Sequence, residues 1–381
     1  MLTARPLPGL SIDTLTDELS DSCVLFDRLL DERAPGAPFQ TFEWISSWWE
    51  SRSPGRSPVV LLAHDRGVPK GLLPLYLESG AFDGQHLRLM ADEEVGADYI
   101  GVIAQPSDRA RVSAAFAEYL ASRNEQTPIL DGLEADDPLV AALAQAGALV
   151  EPRYLCPRIN LCGSFTDYLN ERPDGTGHQW QRRLKWLERQ NGFELRCETA
   201  PDAVAQSMET LFALHDARWN LGEGSEAFTA PWIFNFHRRT ARALAERGWV
   251  RIYSLSVDGQ VRAILYGFRH GDRFAFFQSG HEPTWRKRSV GTVLLGHVIR
   301  CCFEEGLTEF DFLHGSEPYK QLWSNGARHT VRARMNRTGL RPLISSTTRR
   351  IYHQSKQLLP ESALRYARRA RKYLRRWGES T

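Results

Sequence analysis

Residues 274–335, FAFFQSGHEPTWRKRSVGTVLLGHVIRCCFEEGLTEFDFLHGSEPYKQLWSNGARHTVRARM, are the part of the chain that decides the fold. They predict a strand at 274–280, a basic turn that ends at Gly291, and a helix over 292–305. A second strand at 309–313 and a short helix at 317–323 follow. A basic turn that leads into a helix suits a phosphate group, because unpaired backbone N–H groups and the positive end of the helix dipole meet there.

The composition indicates a globular protein of two domains. The chain has 381 residues, of which 42% are hydrophobic and 25% charged, which is ordinary for folded domains of this size. Its six cysteines form no C-x-x-C pair, so the patterns of zinc-binding and thioredoxin-like proteins are absent. The N-terminus lacks a signal-peptide pattern and no apolar run approaches ~18 residues. We therefore expect a cytoplasmic protein without a membrane span or a metal site.

The positive charge is concentrated at the C-terminus. Residues 341–381 hold eleven Lys or Arg residues and two acids, although the net charge of the chain is only +2. Apolar residues from Ala363 to Trp377 recur at a helical period, so the tail is predicted to form a basic amphipathic helix. Three functions remain open: docking on the body of the protein, peripheral attachment to the inner, anionic face of a membrane, and RNA binding. Docking is favoured, and nucleic acid is the least expected partner.

The chain contains one order of elements twice. Each copy has a hairpin with a tight glycine turn, another strand, a helix, a strand and a helix that begins with proline. The hairpins surround Gly67 and Gly259, the long helices span 109–123 and 292–305, and the prolines are Pro138 and Pro318. Further helices are predicted at 43–51, 202–219 and 231–246. We predict an N-terminal extension (1–20), two repeated units (21–160 and 161–340) and the tail (341–381).

The combined pattern resembles the GNAT acyltransferase superfamily, and within it the tandem acetyltransferases of the CelD type from cellulose biosynthesis, which are related to the FemAB ligases. The resemblance covers about residues 39–335 and rests on these residues: Asp98-Tyr99, Leu214-His215, Arg218-Trp219, Phe228, Phe277-Gln278-Ser279-Gly280, Ser289-Val290-Gly291, Phe310-Asp311-Phe312-Leu313, Gly315, Tyr319-Lys320 and Trp323. It implies an α/β fold of two tandem GNAT-like units, each a mixed, bent sheet flanked by helices, facing each other across a groove.

The resemblance also implies one acyl-CoA site, which we place in the second unit. The phosphate turn of the superfamily reads Q/R-x-x-G-x-G/A. The second unit keeps Arg288 and Gly291 but has Val293 at the last position, whereas residues 107–111 of the first unit contain no glycine. The expected contacts with acyl-CoA (acetyl-CoA or a longer chain) are Phe277, Gln278, Ser279, Arg286, Arg288, Ser289, Val290, Gly291 and Thr292.

Three residues are candidates for catalysis. Tyr319 would protonate the leaving thiolate, as the resemblance implies, because a phenol stays protonated at neutral pH. Asp311, between two phenylalanines on a strand, suits a base whose pKa is raised. His281 is the alternative base, and Glu282 beside it is a further alternative. The structural alternatives are a packing tyrosine and a buried Asp311 that pairs with Lys320 or Arg288. Backbone N–H groups at 277–280 would polarise the thioester carbonyl.

The acceptor is expected to be an amine of an amino sugar, an amino acid or a cell-envelope precursor. The candidate substrate-binding residues are Asp98, Tyr99, His215, Arg218, Trp219 and Lys320. Asp98 and Tyr99 suit a groove between two domains, although an Asp that orders a loop is an equally simple explanation, and His215 is more typical of a structural helix residue. The expected function is N-acyl transfer from acyl-CoA. The alternatives are a FemAB-like transferase that uses aminoacyl-tRNA, and a non-catalytic binding protein in polysaccharide assembly.

Overall fold

The computed structural model describes residues 9–15, 22–52, 54–80, 84–123, 125–220, 230–315 and 317–335. The strands of these residues form one mixed sheet. They are β1 (Ser11–Leu15), β2 (Ser57–Asp65), β3 (Val68–Gly80), β4 (Gly84–Leu89), β5 (Gln126–Glu134), β6 (Leu149–Asn160), β7 (Glu194–Glu198), β8 (Val250–Val257), β9 (Gln260–His270), β10 (Arg273–His281), β11 (Glu309–Asp311) and β12 (Gly326–Arg334). The helices are α1 (Cys23–Leu29), α2 (Phe42–Arg52), α3 (Pro106–Ser122), α4 (Pro138–Gln145), α5 (Phe165–Asn170), α6 (Thr176–Leu187), α7 (Pro201–Asn220), α8 (Pro231–Glu246), α9 (Val290–Glu304) and α10 (Pro318–Trp323).

The strand order shows that the two halves are built alike. From one end of the sheet to the other it is β1-β2-β3-β4-β5-β12-β6-β11-β10-β9-β8-β7. Read inward from both ends, β1 to β5 correspond to β7 to β11, and the pairs β4–β5 and β10–β11 are parallel. Both hairpins also carry a bulge at the same place, between Ala63 and His64 and between Leu255 and Ser256. The repeated order of elements is therefore present in the structure.

Each half is completed by the last strand of the other half. β6 follows the first half in sequence but pairs with β11 of the second, and β12 follows the second half but pairs with β5 of the first. β6 and β12 also pair with each other and join the two halves into one sheet. β6 ends at Asn160, and the division into units at residue 160 stays a prediction. The α/β prediction of two similar units with mixed sheets flanked by helices is confirmed, and the exchange of final strands is an addition to it.

The predicted helices begin and end close to the observed ones because their end signals are strong. α8 spans the predicted residues, and α3, α4, α8 and α10 each have proline in the first turn, where no backbone N–H is needed. In both hairpins the two central turn residues have positive φ: 50° and 80° at Arg66 and Gly67, and 52° and 69° at Asp258 and Gly259. This backbone matches the twist of the strands that it connects.

Two hydrophobic cores hold the functional strands in place. In the first, Trp44 of α2 contacts Phe236 of α8 and Phe268 and Phe277 of the second half, so this core joins the halves. The second core lies under α9. There Trp180 of α6 donates from Nε1 to the Val293 carbonyl at 3.0 Å. A Cβ on Gly296 would lie 2.2 Å from that nitrogen, so only glycine allows this contact.

The predicted basic tail (341–381) lies outside the described residues. Among the helices that are described, none is both long and apolar enough to cross a membrane. Within the same residues no group of three or more His, Cys, Asp or Glu side chains is arranged to hold a metal ion.

Candidate active site

The strands β10 and β11 separate at their carboxyl ends. They pair only from Arg273 with Glu309 to Ala275 with Asp311, after which β10 continues to His281 and β11 ends. A register shift between Phe276 and Gln278 on the other edge of β10 marks the same point. Parallel strands that separate at their carboxyl ends are a usual place for ligands in α/β sheets, and we call the place between the ends of β10 and β11 the cleft.

The N-terminus of α9 lies beside the end of β10. The basic residues Arg286, Lys287 and Arg288 are exposed in a short 3-10 turn (Pro283–Arg288). Ser289 follows with a φ of 56° and turns the chain into the helix. A Cβ on Gly291 would make ordinary contacts with His281, the nearest to Nδ1 at 3.6 Å, and Gly291 is half-buried, so solvent reaches this first turn. Backbone N–H groups of a first helical turn have no partner within the helix and can bind an anion.

Two side chains near this turn have clear structural roles: Val293, which stands where the phosphate-turn pattern has glycine or alanine, and Arg288. Val293 is fully buried in the second core, and its N–H donates to the Ser289 carbonyl at 3.0 Å. It therefore faces the second core and not the solvent that reaches Gly291. The Arg288 guanidinium lies 4.2 Å from the ring centroid of Trp186 on α6, a cation–π contact that holds this basic side chain beside the helix N-terminus.

The corresponding helix of the first half has a different N-terminus. α3 begins with Pro106 and has Asp108 in its first turn. The Asp108 carboxylate pairs with Lys70 at 3.2 Å and with Arg111 at 3.7 Å. The Asp108 carboxylate already lies at the positive, N-terminal end of this helix dipole, so α3 is a poorer anion site than α9.

A carboxylate and a histidine from different halves meet at the cleft. Asp98 is fully buried, and its Oδ2 accepts from both the backbone N–H and Nδ1 of His314 at 2.8 Å. His314 follows β11, and its side chain is 34% exposed. Burial lowers the pKa of His314 and Asp98 raises it, with a net rise above the ordinary value. Since the carboxylate can only accept, Nδ1 carries the proton and Nε2 is the nitrogen that can accept one.

The loop that carries Asp98 lies between the two separated strands. A Cβ on Gly96 would be 3.1 Å from the Phe277 ring on β10, and the Tyr99 hydroxyl donates to Asp311 on β11 at 3.2 Å. Tyr99 has a φ of 59°, an uncommon backbone conformation for a non-glycine residue that is typical of functional loops. The first half thus supplies one wall of the cleft of the second half.

Asp311 is buried and held in an ion pair. Its Oδ2 accepts from Arg328 of β12 at 2.7 Å, and its Oδ1 accepts from the Leu313 N–H at 2.7 Å in addition to Tyr99. Burial raises the pKa of Asp311 to about 7, although Arg328 opposes the rise. Arg328 also binds Glu309, whose pKa falls to about 2 because its arginine partners outweigh its burial. This geometry favours the structural role of Asp311, with Arg328 as the partner in place of Lys320 or Arg288.

Lys320 and Tyr319 lie on α10, next to the loop of His314. The Lys320 ammonium is buried, donates to the His314 carbonyl at 2.7 Å and pairs with Glu317 at 3.2 Å. It therefore fixes the backbone that carries His314. Tyr319 is half-buried and packs against the second core.

The remaining predicted site residues are spread over the first core, β10 and α7. Phe277 packs among the aromatic side chains of the first core, and the Ser279 N–H donates to Oε1 of Gln278 at 2.9 Å. His215 is buried where α7 crosses Gly280. Arg218 and Trp219 belong to α7, but their side chains lie outside the described residues, as does Phe228.

Sequence analysis missed His314 and its neighbour Tyr154. The two rings stack with centroids 5.1 Å apart, and Tyr154 on β6 is exposed. His314 lies three residues after Asp311, in a segment that the resemblance had singled out, but it was passed over because its partner Asp98 is 216 positions away. Tyr154 reaches the site only through the exchange of β6, for which the sequence has no local signal.

Comparison with known proteins agrees with this architecture. Residues 177–321, from α6 to α10, match the family model described as an acetyltransferase (GNAT) domain, and no curated protein matches the sequence. The chain is similar in structure to FemX, with a TM-score of 0.61 and 10% identity over 87% of this chain and 99% of that one. A conserved protein of unknown function from Bacteroides thetaiotaomicron gives a TM-score of 0.53 and 11% identity over 86% of this chain and 100% of that one. The chain therefore shares the whole-chain fold of FemX, and its second half matches the GNAT acetyltransferase domain; the CelD-type subfamily stays a prediction.

Proposed function

We propose that the protein transfers an acyl group from acyl-CoA to an amine in the cleft between β10 and β11. One observation carries the proposal: an anion-suited helix N-terminus and an Asp–His pair lie at the same end of two separating strands. The acceptor class remains the one expected from sequence, an amine of an amino sugar, an amino acid or an envelope precursor.

The donor would bind through the first turn of α9. Its pyrophosphate would accept hydrogen bonds from the N–H groups of Val290, Gly291 and Thr292, with Arg286 and Arg288 supplying positive charge. The partial exposure of Gly291 fits this role, because a phosphate could approach its N–H from solvent. The thioester would then extend along the free edge of β10, where backbone N–H groups beyond Ala275 can stabilise the oxyanion of a tetrahedral intermediate.

We assign His314 as the general base and retain Tyr319 as the general acid. The amine nitrogen attacks the thioester carbon, and Nε2 of His314 takes the proton that the nitrogen loses. The C–S bond then breaks, and the thiolate takes the Tyr319 hydroxyl proton. Asp98 holds the histidine in the required tautomer and stabilises its protonated form. His281, beside Gly291, remains an alternative base.

A second candidate keeps the same cleft but uses an aminoacyl-tRNA as the donor. The observation that favours it is the similarity to FemX along the whole chain, since the FemAB-like alternative predicts this two-unit layout. The same basic turn would then hold phosphates of the tRNA.

Donor use separates the two candidates. The purified protein is incubated with amine panels and either acetyl-CoA, longer acyl-CoAs or aminoacyl-tRNA, and free thiol and acylated amine are measured. We expect thiol release that depends on both acyl-CoA and amine. Transfer from aminoacyl-tRNA without thiol release from any acyl-CoA would replace the proposal with the second candidate.

A further inference from the structure

A cleft separate from the reaction centre lies at the outer edge of the sheet, under α7. It has a volume of about 340 Å³, within the range of small-molecule sites. Its walls carry four hydroxyl groups, from Ser207 and Thr210 on α7 and from Ser254 and Ser256 on β8. Charged side chains of β7 form the remaining part of the lining: Glu194, Arg196 and Glu198.

The packing of α7 explains why a cleft exists there. The helix lies mainly over β9 and β10 and makes fewer contacts with β7 and β8. Val204, Met208 and Leu211 enter the core, so Ser207 and Thr210, which are half-buried, lie on the neighbouring stripe of the helix. Small side chains on both walls leave the space between helix and sheet unfilled.

The first half shows that the fold does not require these polar residues. The hairpin turns and bulges of the two halves coincide, so the facing pair Arg196 and Ser254 corresponds to Asp13 and Leu62. Glu198 corresponds in the same way to Leu15. Leu15 and Leu62 pack against the first core, so the same places in the fold accept apolar side chains. At the places of Ser254 and Glu198, therefore, the fold does not require a polar side chain.

The charges of the cleft favour a cation that also carries hydroxyl groups. Glu194 and Arg196 form an ion pair at 2.6 Å, which leaves the carboxylate of Glu198 as excess negative charge at the lining. Serine and threonine hydroxyls both donate and accept, as sugar hydroxyls do. We infer that this cleft binds an amino sugar, with the ammonium toward Glu198 and the hydroxyls toward Ser254 and Thr210.

The cleft is distinct from the site of acyl transfer. Ser254 and Gly280 both lie opposite Ile264 of β9, which lines the inner side of the cleft, so the hydroxyl wall on β8 is two strands from β10, roughly 10 Å at the usual strand spacing. Binding there needs no acyl donor, and the inference stands or falls independently of the proposed reaction.

The inference is tested by measuring sugar binding to the full chain without a donor, by saturation-transfer NMR and calorimetry. We expect glucosamine to bind at least about tenfold more tightly than N-acetylglucosamine, whose nitrogen is uncharged. Ser254→Leu introduces the residue that the first half has at this place, so it should fold and abolish binding. Thr210→Val, which keeps the side-chain volume but removes the hydroxyl, should weaken binding less than Ser254→Leu does.

Glu198→Gln should remove the preference for glucosamine, whereas Glu188→Gln, at an exposed position on the preceding segment, should leave it unchanged. The inference is overturned if the wild-type protein shows no glucosamine binding, if it binds both sugars equally, or if Ser254→Leu and Thr210→Val bind glucosamine as the wild type does.

Discussion

At the scale of single residues, the site depends on a pair that neither half contains alone. Asp98 comes from the first half and His314 from the second, and their hydrogen bond at 2.8 Å defines which nitrogen of the ring can act as a base. Lys320 supports the pair by binding the His314 carbonyl. We propose that Asp98 positions His314 through these hydrogen bonds, and its role in substrate binding stays a prediction.

Asp98→Asn should alter the pH dependence of the reaction. In the proposed reaction the neutral form of His314 is the base, and Asp98 raises the pKa of His314. Without the carboxylate this pKa falls, so the acid limb of the kcat/KM profile should move to lower pH. The turnover rate should also drop by roughly 10²-fold or more because the tautomer is no longer held. Asp108→Asn, on α3, is the control. An unchanged acid limb in Asp98→Asn would show that His314 is not the base.

Tyr319→Phe should lower turnover without weakening donor binding. The change removes one hydroxyl and little volume, so a general acid would be lost while the packing against the second core stays. We expect kcat to fall by roughly 10²-fold at constant acyl-CoA affinity. Tyr119→Phe, whose hydroxyl contacts Thr14 far from the cleft, is the matched control. Wild-type kcat in Tyr319→Phe, with chemistry rate-limiting, would assign Tyr319 a packing role.

At the scale of elements, the two halves use the same helix differently. α3 and α9 occupy equivalent places after the hairpin and the third strand, but α3 begins with Pro106 and an acid, and α9 follows a basic turn and has Gly291 at its second position. We therefore propose a phosphate site at the N-terminus of α9 and none at that of α3.

Gly291→Asp should abolish acyl-CoA binding. The new carboxylate would point into the space where the phosphates bind and repel them, and the nearest atom to its Cβ, at 3.6 Å, permits the substitution without a clash. Calorimetry with acetyl-CoA should show at least a 100-fold loss of affinity, about 2.7 kcal/mol. Ser107→Asp changes the equivalent position of α3 and should have no effect. Equal loss in both variants, or unchanged affinity in Gly291→Asp, would contradict the assignment of the donor site.

At the scale of the whole molecule, exchange of β6 and β12 makes the two halves depend on each other. Arg328 of β12 binds Glu309 and Asp311 of β11 and Glu134 of β5, so one buried ion-pair network spans the centre of the sheet. His270 forms another link, through a contact of 3.1 Å between Nδ1 and the Glu32 carbonyl. Folding of one half and assembly of the cleft are therefore expected to be a single cooperative process.

The part of the stability that His270 supplies should fall in acid, whereas Asp311, whose pKa is raised, contributes in the opposite direction. Burial lowers the pKa of His270 to about 4 from an ordinary value of 6.5, so the unfolded chain binds this proton first. The stabilisation is complete above pH 6.5 and is lost as the pH falls toward 4, by on the order of 3 kcal/mol. Urea unfolding at pH 7.5 and pH 4.5 measures it.

The matched variant for this prediction is His270→Gln, which has no group that titrates in this range. This variant can be less stable than the wild type at pH 7.5 without affecting the test. The difference in its free energy of unfolding between pH 7.5 and pH 4.5 should be smaller than that of the wild type. His64→Gln, at a half-buried surface pair with Asp13, is the control. The same pH difference in wild type and His270→Gln would show that His270 does not contribute.

The sequence alone determined the elements and their repetition, because helix ends, glycine turns and hydrophobic periods are local signals. Pro231 and Gly248 bracket α8, the glycine turns define both hairpins, and the basic turn before Gly291 marks one helix N-terminus as suited to an anion. Only the tertiary structure decided which residues meet. Asp98 and His314 are 216 positions apart, Arg328 reaches Asp311 across β6, and β6 and β12 exchange halves. Such contacts depend on the pairing of distant strands, and strand pairing over long distances leaves no pattern in the residues near either partner.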